Sequence, residues 1–127
     1  FARLRLYTYP DPATDRLALR QDCYWTALNF FNETPDNRFL DERIVHRTLK
    51  SDYFEIKTNW AFGDLILLLE KGQTAFHVCV YVADDVVFTK NGVDAGAPWV
   101  LMRLPDVLSL YAWAQRIELV GLRRKGR

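Results

Sequence analysis

The sequence predicts an α+β fold in which N-terminal helices pack on a mostly antiparallel sheet. Apolar residues with helical spacing are concentrated before residue 50, whereas from Gly63 onward short apolar or alternating runs are separated by turns. Segregation of helices from strands along the chain is typical of this class. The 127 residues, half of them hydrophobic, are enough for one core, so we expect a single domain over residues 1–127.

Two helices are predicted in the first half of the chain. Asp22 is a suitable N-cap for the first, which is expected to run to about Asn32, and the second is expected over about Leu40–Leu49. Upstream of both, Phe1–Tyr9 alternates loosely between apolar and polar residues. This segment is expected to form an edge strand that stops at Pro10-Asp11-Pro12.

The second half of the chain carries the strand signals. A continuous apolar run predicts a central strand, and two alternating runs around Asp84-Asp85 predict a hairpin. The helix opened by Pro105 is expected to reach Trp113. Ile117–Leu122 is either a last strand or the end of that helix. The predicted strands before it are Leu65–Leu69, His77–Val82, Val86–Thr89 and Trp99–Leu104.

Composition excludes several classes of function. A formal net charge of +1 predicts neither a nucleic-acid partner nor an anionic membrane surface. The run Leu65–Leu69 is far too short to span a bilayer, so no transmembrane segment is expected. No basic and apolar leader is visible, so for a sequence that begins at Phe1 we expect either that a leader was removed or that the chain is a fragment. Two cysteines do not make a disulfide framework, so the compartment stays open.

One cysteine and one histidine carry the candidate chemistry. Cys23 stands at the start of the first predicted helix, where backbone N–H groups and the positive end of the helix dipole lower a thiol pKa and can form an oxyanion hole. His77 opens an alternating strand, where its imidazole could accept and return a proton. In the competing interpretation, Cys23 is a small buried hydrophobic residue and His77 has only a structural role.

A metal site is not expected. Cys23, Cys79, His46 and His77 offer suitable ligand atoms, but they show neither Cys-x-x-Cys nor His-x-x-x-His spacing. His46 lies among basic residues of the second predicted helix and is interpreted as a surface residue. The proposed chemistry of a cysteine nucleophile needs no cofactor.

Three segments together resemble the NlpC/P60 superfamily of papain-like cysteine peptidases and amidases. They are Asp22-Cys23 opening a helix, Gly63-Asp64-Leu65-Ile66 opening a strand, and His77-Val78-Cys79-Val80-Tyr81-Val82 before a turn. Their order is that of the family, and the resemblance covers roughly Tyr9–Gly92. It implies a papain-like fold, Cys23 as nucleophile and His77 as general base. It also implies a peptide or amide substrate, most often a peptidoglycan stem peptide, and a bacterial cell-envelope or secreted location.

The resemblance implies a third polar residue that orients the imidazole from the next strand. The family position falls on Thr89, but the side-chain carbonyl of Asn91 is the better acceptor, so we favour Asn91 with Thr89 second. Both lie on one strand face, whereas Lys90 lies on the other. Hairpin register decides which face meets His77.

The chain also departs from the family pattern beside the nucleophile. Bulky Tyr24-Trp25 follows Cys23 where the family has small residues. The candidate oxyanion or substrate residues are Asp22 and an upstream tyrosine, for which Tyr9 is preferred and Tyr7 competes.

The first function hypothesis is therefore a hydrolase that cleaves an amide through a thioester on Cys23. An acyltransferase or lipid amidase is an alternative with the same nucleophile. A second hypothesis is an inactive binding module on the same fold, which a high thiol pKa would favour. A third is a partner-binding domain with Trp60, Trp99 and Trp113 partly exposed at an interface.

Overall fold

A computed structural model describes residues 1–126 and contains one six-stranded antiparallel sheet. The spatial order of the strands is β1-β6-β2-β3-β4-β5. The strands are β1 (Tyr53–Ile56), β2 (Leu65–Glu70), β3 (Thr74–Ala83), β4 (Val86–Lys90), β5 (Trp99–Arg103) and β6 (Ile117–Arg124). The predicted α+β class, the central strand and the hairpin are confirmed, and the ambiguous segment at Ile117 is a strand.

The helices are short, and the prediction of an edge strand at the N-terminus is wrong. The helices are α1 (Ala2–Arg5), α2 (Cys23–Leu28), α3 (Glu42–Asp52) and α4 (Leu104–Leu110), with 3₁₀ turns at Ala18–Arg20 and Asn37–Leu40. Phe1–Tyr9 is not an edge strand, because α1 occupies its start and Tyr7 has a φ of 61° that interrupts an extended run. Within residues 1–126, no helix has the length and apolar character needed to cross a membrane.

Helix α2, the predicted helix that begins at Cys23, ends four residues earlier than its apolar pattern predicts. Asn29 follows it, is fully buried, and donates from its side-chain amide to the carbonyl of Trp25 at 3.0 Å. The same side chain accepts from the backbone N–H of Asp36 at 2.6 Å. Asparagine side chains that bond nearby backbone groups compete with helix continuation, so Asn29 turns the chain instead.

The sheet separates two hydrophobic clusters by simple alternation. Residues Val78 and Val80 of β3 face the cluster that includes Trp25, whereas Cys79 faces the cluster that includes Val107 of α4. Helix α2 therefore packs on one face and α4 on the other. Trp99 is fully buried in the first cluster, so its predicted exposure is wrong, whereas Trp113 is 65 % exposed.

The Gly63-Asp64 pair has a structural role at the start of β2. Gly63 adopts a φ of 91°, and its N–H donates to the carbonyl of Tyr81 at 2.9 Å. The fully buried carboxylate of Asp64 accepts from the N–H of Ala61 at 2.7 Å and from Arg123 of β6 at 2.8 and 3.0 Å. This two-pronged arginine contact fixes the start of β2 against β6 beside β3.

Candidate functional site

Cys23 is the first residue of α2 and lies against β3. The carboxylate of Asp22 caps the helix by accepting from the N–H of Trp25 at 2.8 Å. Burial is the largest influence on the pKa of this thiol, and the nearby backbone of Val78, Cys23 and Tyr24 opposes it only in part. Since Val78 follows His77 directly in β3, the Val78 contact brings the thiol to the strand segment that carries the histidine.

The pKa of the Cys23 thiol moves in the direction opposite to the one expected. Burial raises it to about 12, which outweighs the hydrogen bonding from Val78, and the carboxylate of Asp22 raises it further. The prediction of a lowered pKa for the Cys23 thiol is therefore wrong. A helix of six residues has only a small dipole to set against removal of the thiol from water.

A β-bulge shapes the histidine side of the site. The register between β2 and β3 passes from Leu68 opposite His77 to Leu69 opposite Ala75, which leaves Phe76 as the extra residue. Both residues at the bulge contact Tyr111. The rings of Phe76 and Tyr111 lie 5.3 Å apart, and those of His77 and Tyr111 lie 4.8 Å apart. His77 is the fourth residue of β3 and 1 % exposed, so it does not stand at the entrance of the strand as its sequence pattern indicates.

Both nitrogens of the His77 ring are hydrogen-bonded. Nε2 lies 2.8 Å from Thr89 Oγ1, and that hydroxyl donates to Asn91 Oδ1 at 2.9 Å. Because the single proton of Thr89 goes to Asn91, its oxygen accepts from His77, which assigns the proton of the neutral ring to Nε2. Nδ1 is then an acceptor, and it receives the hydroxyl of Tyr111 at 3.1 Å. Burial lowers the pKa of His77 to about 4, so the ring is neutral at pH 7.

The structure orders the three candidate orienting residues differently from the sequence. Thr89 contacts the imidazole, and the favoured Asn91 lies one hydrogen bond further away. Lys90 is buried on the other face, with its ammonium group 5.4 Å from the ring of Trp99. The register that pairs Val80 with Phe88 puts Thr89 and Asn91, but not Lys90, on the face of His77, and register could not be fixed from the sequence.

The candidate oxyanion residues are not assembled as expected. Tyr9 and Tyr7 are 60 % and 63 % exposed, and within residues 1–126 neither hydroxyl bonds Cys23 or His77. The carboxylate of Asp22 is engaged as the cap of α2. Tyr111 instead brings a hydroxyl to the site from the end of α4. Its sequence context is an amphipathic helix, so only the packing of α4 on the sheet reveals it.

A groove adjoins the cysteine on the face of the sheet that carries α2. Its volume is about 760 Å³, which is within the range of small-molecule sites. Asp22 and Tyr24, the two neighbours of Cys23, are among the residues that line it. The other lining residues are mostly apolar and come from the 3₁₀ turn before α3, from α3 and from the sheet: Phe39, Leu40, Glu42, Val45, His46, Leu49, Lys50, Leu67, Ala75 and Leu122.

Neither a cluster of metal ligands among residues 1–126 nor a match to a known protein assigns a function to this site. Among residues 1–126, no group of three or more His, Cys, Asp and Glu side chains is placed to hold a metal ion. His46 is exposed on α3, as expected. No protein-family model, no curated protein and no solved structure matches this chain.

Thr89→Val is expected to release the imidazole from its assigned tautomer. Valine keeps the volume but removes the acceptor of the Nε2 proton, and a buried donor without a partner costs about 1–3 kcal/mol of unfolding free energy. Long-range ¹H–¹⁵N spectra of the ring and urea unfolding measure both effects. Thr89→Ser is the matched control, because it keeps the hydroxyl. An unchanged tautomer and stability in Thr89→Val would contradict the assigned hydrogen bond.

Proposed function

We propose that this chain is a cysteine-nucleophile hydrolase that cleaves an amide bond of a peptide or related substrate on a papain-like NlpC/P60 fold. One observation carries the proposal. The imidazole of His77 is oriented through Nε2 by Thr89 and Asn91, which leaves Nδ1 as the proton acceptor, and the backbone of Val78, the next residue of β3, lies close enough to the thiol of Cys23 to influence its pKa. Thiol catalysis needs an oriented base and a thiol in one site, and here the thiol adjoins the strand segment that carries the base.

In the proposed reaction, the proton of Cys23 passes to Nδ1 of His77, and the thiolate attacks the substrate carbonyl carbon. Backbone N–H groups at the start of α2 hold the negative oxygen of the tetrahedral intermediate. The imidazolium returns its proton to the nitrogen of the leaving amine as the C–N bond breaks, which leaves a thioester. His77 then takes a proton from water, hydroxide attacks the thioester, and the thiol and a carboxylic acid are released. Throughout, Thr89 keeps the Nε2 proton in place.

The substrate class follows from the resemblance and from the groove. The order of the Asp-Cys, Gly-Asp-Leu and His-Val segments is that of peptidases and amidases that act on peptidoglycan, so stem peptides are the first substrates to test. The groove beside Asp22 and Tyr24 has the volume for a short peptide or an acyl chain. An acyltransferase would form the same thioester and pass the acyl group to an acceptor other than water.

A catalytically inactive binding module is the second candidate, and the ionisation state of the site favours it. With the pKa of Cys23 raised to about 12 and that of His77 lowered to about 4, both side chains are neutral at pH 7. A neutral pair is not by itself a nucleophile. The groove would then bind a ligand that the chain does not cleave.

Acyl capture decides between the two functions. The wild type is mixed with p-nitrophenyl acetate and with stem peptides, and mass spectrometry of digested protein shows whether Cys23 or Cys79 is acylated. We expect acylation of Cys23 alone, its loss in Cys23→Ser, and a rate at least about tenfold lower in His77→Ala. Cys79→Ser is the matched control, since the Cys79 thiol is buried and bonds the carbonyl of Ile66.

The same variants are then labelled with iodoacetamide over a range of pH. If His77 assists Cys23, alkylation of Cys23 slows in His77→Ala, whereas Cys79→Ser labels as the wild type does. Equal labelling of Cys23 in the wild type and in His77→Ala, together with no acylation, would refute the hydrolase and leave the binding module.

A further inference from the structure

Tyr111 occupies the one atom of His77 that the proposed reaction needs. Its hydroxyl donates to Nδ1 at 3.1 Å, and its ring is tilted by 33° against the imidazole. Thr89 already engages Nε2, so the resting ring has no further nitrogen with which to accept a proton from Cys23. A side chain that contacts the reacting nitrogen takes part in controlling its protonation.

The segment that carries Tyr111 is a strap of turns between α4 and β6, residues 111–116. Two contacts fix its far end to the β2–β3 turn. The N–H of Gln115 donates to the carboxylate of Glu70 at 2.8 Å, and Arg116 accepts from the N–H of Lys71 at 3.0 Å. The middle of the strap is open to solvent, because Trp113 is 65 % exposed. Tyr111 is therefore held both by the strap and by its packing against Phe76 and the cluster that includes Val107, and the strap contacts can be weakened by themselves.

We propose that Tyr111 is a further catalytic residue of this site, whose hydroxyl holds Nδ1 of His77 in the resting chain and must leave it before His77 can deprotonate Cys23. This inference rests on the proposed function. When the Tyr111 hydroxyl leaves, the S–H bond of Cys23 breaks and an N–H bond forms at Nδ1, which gives a thiolate and an imidazolium.

The charged and titratable surroundings support this role. Tyr111 is half-buried, and its own pKa is raised to about 12 by burial, so it remains a hydrogen-bond donor at pH 7. The other titratable groups near the pair are Cys23 and Cys79, both neutral because burial raises the pKa of each thiol to about 12. The carboxylate of Asp22 acts on Cys23, Glu42 acts on the adjacent Tyr24, and Asp94 and Asp22 act on the buried Lys90.

The test is Tyr111→Phe, followed by two measurements that need no substrate. Loss of a hydrogen bond to the neutral ring favours the imidazolium, so NMR titration should show the pKa of His77 raised by about one unit. Because a shift of one unit corresponds to a tenfold change in the proton-transfer equilibrium, Cys23 should react with iodoacetamide about tenfold faster at pH 7. Tyr81→Phe is the matched control, since Tyr81 lies in the same strand as His77 and is expected to change neither value.

A second variant tests the same role of Tyr111 if Tyr111→Phe does not fold. Glu70→Ala removes the acceptor of Gln115 and loosens the strap without touching the site, so Cys23 labelling should again accelerate, by a smaller factor. Glu118→Ala, an exposed acid on β6, is its control.

Two different failures are separable. If His77→Ala slows labelling of Cys23 but Tyr111→Phe leaves the pKa of His77 and the labelling rate unchanged or lowers the rate, the role of Tyr111 is overturned and the proposed function stands. If His77→Ala has no effect on labelling, the proposed function itself fails, and with it the catalytic role of Tyr111.

Discussion

Trp25→Ala is expected to destabilise the folded chain by about 4 kcal/mol, within the range of large-to-small core substitutions of tryptophan. Trp25 is fully buried, and its ring lies 5.1 Å from that of Phe1 and 6.4 Å from that of Trp99. Its indole N–H also donates to Asn37 Oδ1 at 3.1 Å. Alanine leaves a cavity between α1, α2 and β5 and removes the partner of Asn37.

Equilibrium unfolding in urea, with the slope of the transition compared between variants, measures this loss. Trp113→Ala is the matched control, because the 65 % exposed ring of Trp113 should cost less than about 1 kcal/mol when removed. Trp25→Phe should fall between the two, since it keeps a ring but loses the N–H. A cost below about 1 kcal/mol for Trp25→Ala would mean that α2 is not anchored through this residue.

The consequence for the site is direct, because Trp25 is two residues from Cys23. A helix of six residues is not stable by itself in water and depends on its packing. The Trp25 ring is therefore one of the buried groups that attach the helix presenting the thiol. Loosening that attachment should expose Cys23 and accelerate its alkylation even where His77 is absent, which distinguishes a loss of packing from a change in the base.

The sheet could be predicted because its strands have strong local signals. The run Leu65–Leu69 is apolar throughout, and in the structure β2 lies between β6 and β3 with both faces covered. The alternation from His77 to Val82 placed Val78 and Val80 on one face and Cys79 on the other, as observed. Such periodicity depends only on which neighbours are buried, so the sequence contains it.

What the sequence lacked was information about tertiary contacts. Tyr111 and His77 are 34 residues apart, and only the packing of α4 on the sheet joins them. The exclusion of Lys90 needed the hairpin register, the choice of Thr89 over Asn91 needed the side-chain contacts themselves, and the β-bulge at Phe76 has no local marker. The pKa of Cys23 was assigned the wrong direction because a helix N-terminus is a local feature, whereas burial depends on the whole fold.

Protonation of His77 alone is expected to lower the free energy of unfolding by about 3 kcal/mol as the pH falls. Burial lowers the pKa of His77 in the folded chain to about 4 from an ordinary value of 6.5. Below pH 6.5 the unfolded chain therefore takes up a proton that the folded chain does not bind until about pH 4. The contribution is complete above pH 6.5 and is lost as the pH falls toward 4, and a difference of roughly two and a half units corresponds to about 3 kcal/mol.

His77→Gln isolates this term, because every carboxylate titrates equally in both proteins and glutamine can still bond Thr89. Urea unfolding at several pH values between 7 and 4 should show the wild type losing about 3 kcal/mol relative to the variant, most of it below pH 6. Parallel curves would show that His77 is protonated as easily in the folded chain as in the unfolded one. The ring would then not be the dry, neutral acceptor that Thr89 and Tyr111 contact, and a reaction that begins with proton transfer to Nδ1 would need a different resting state.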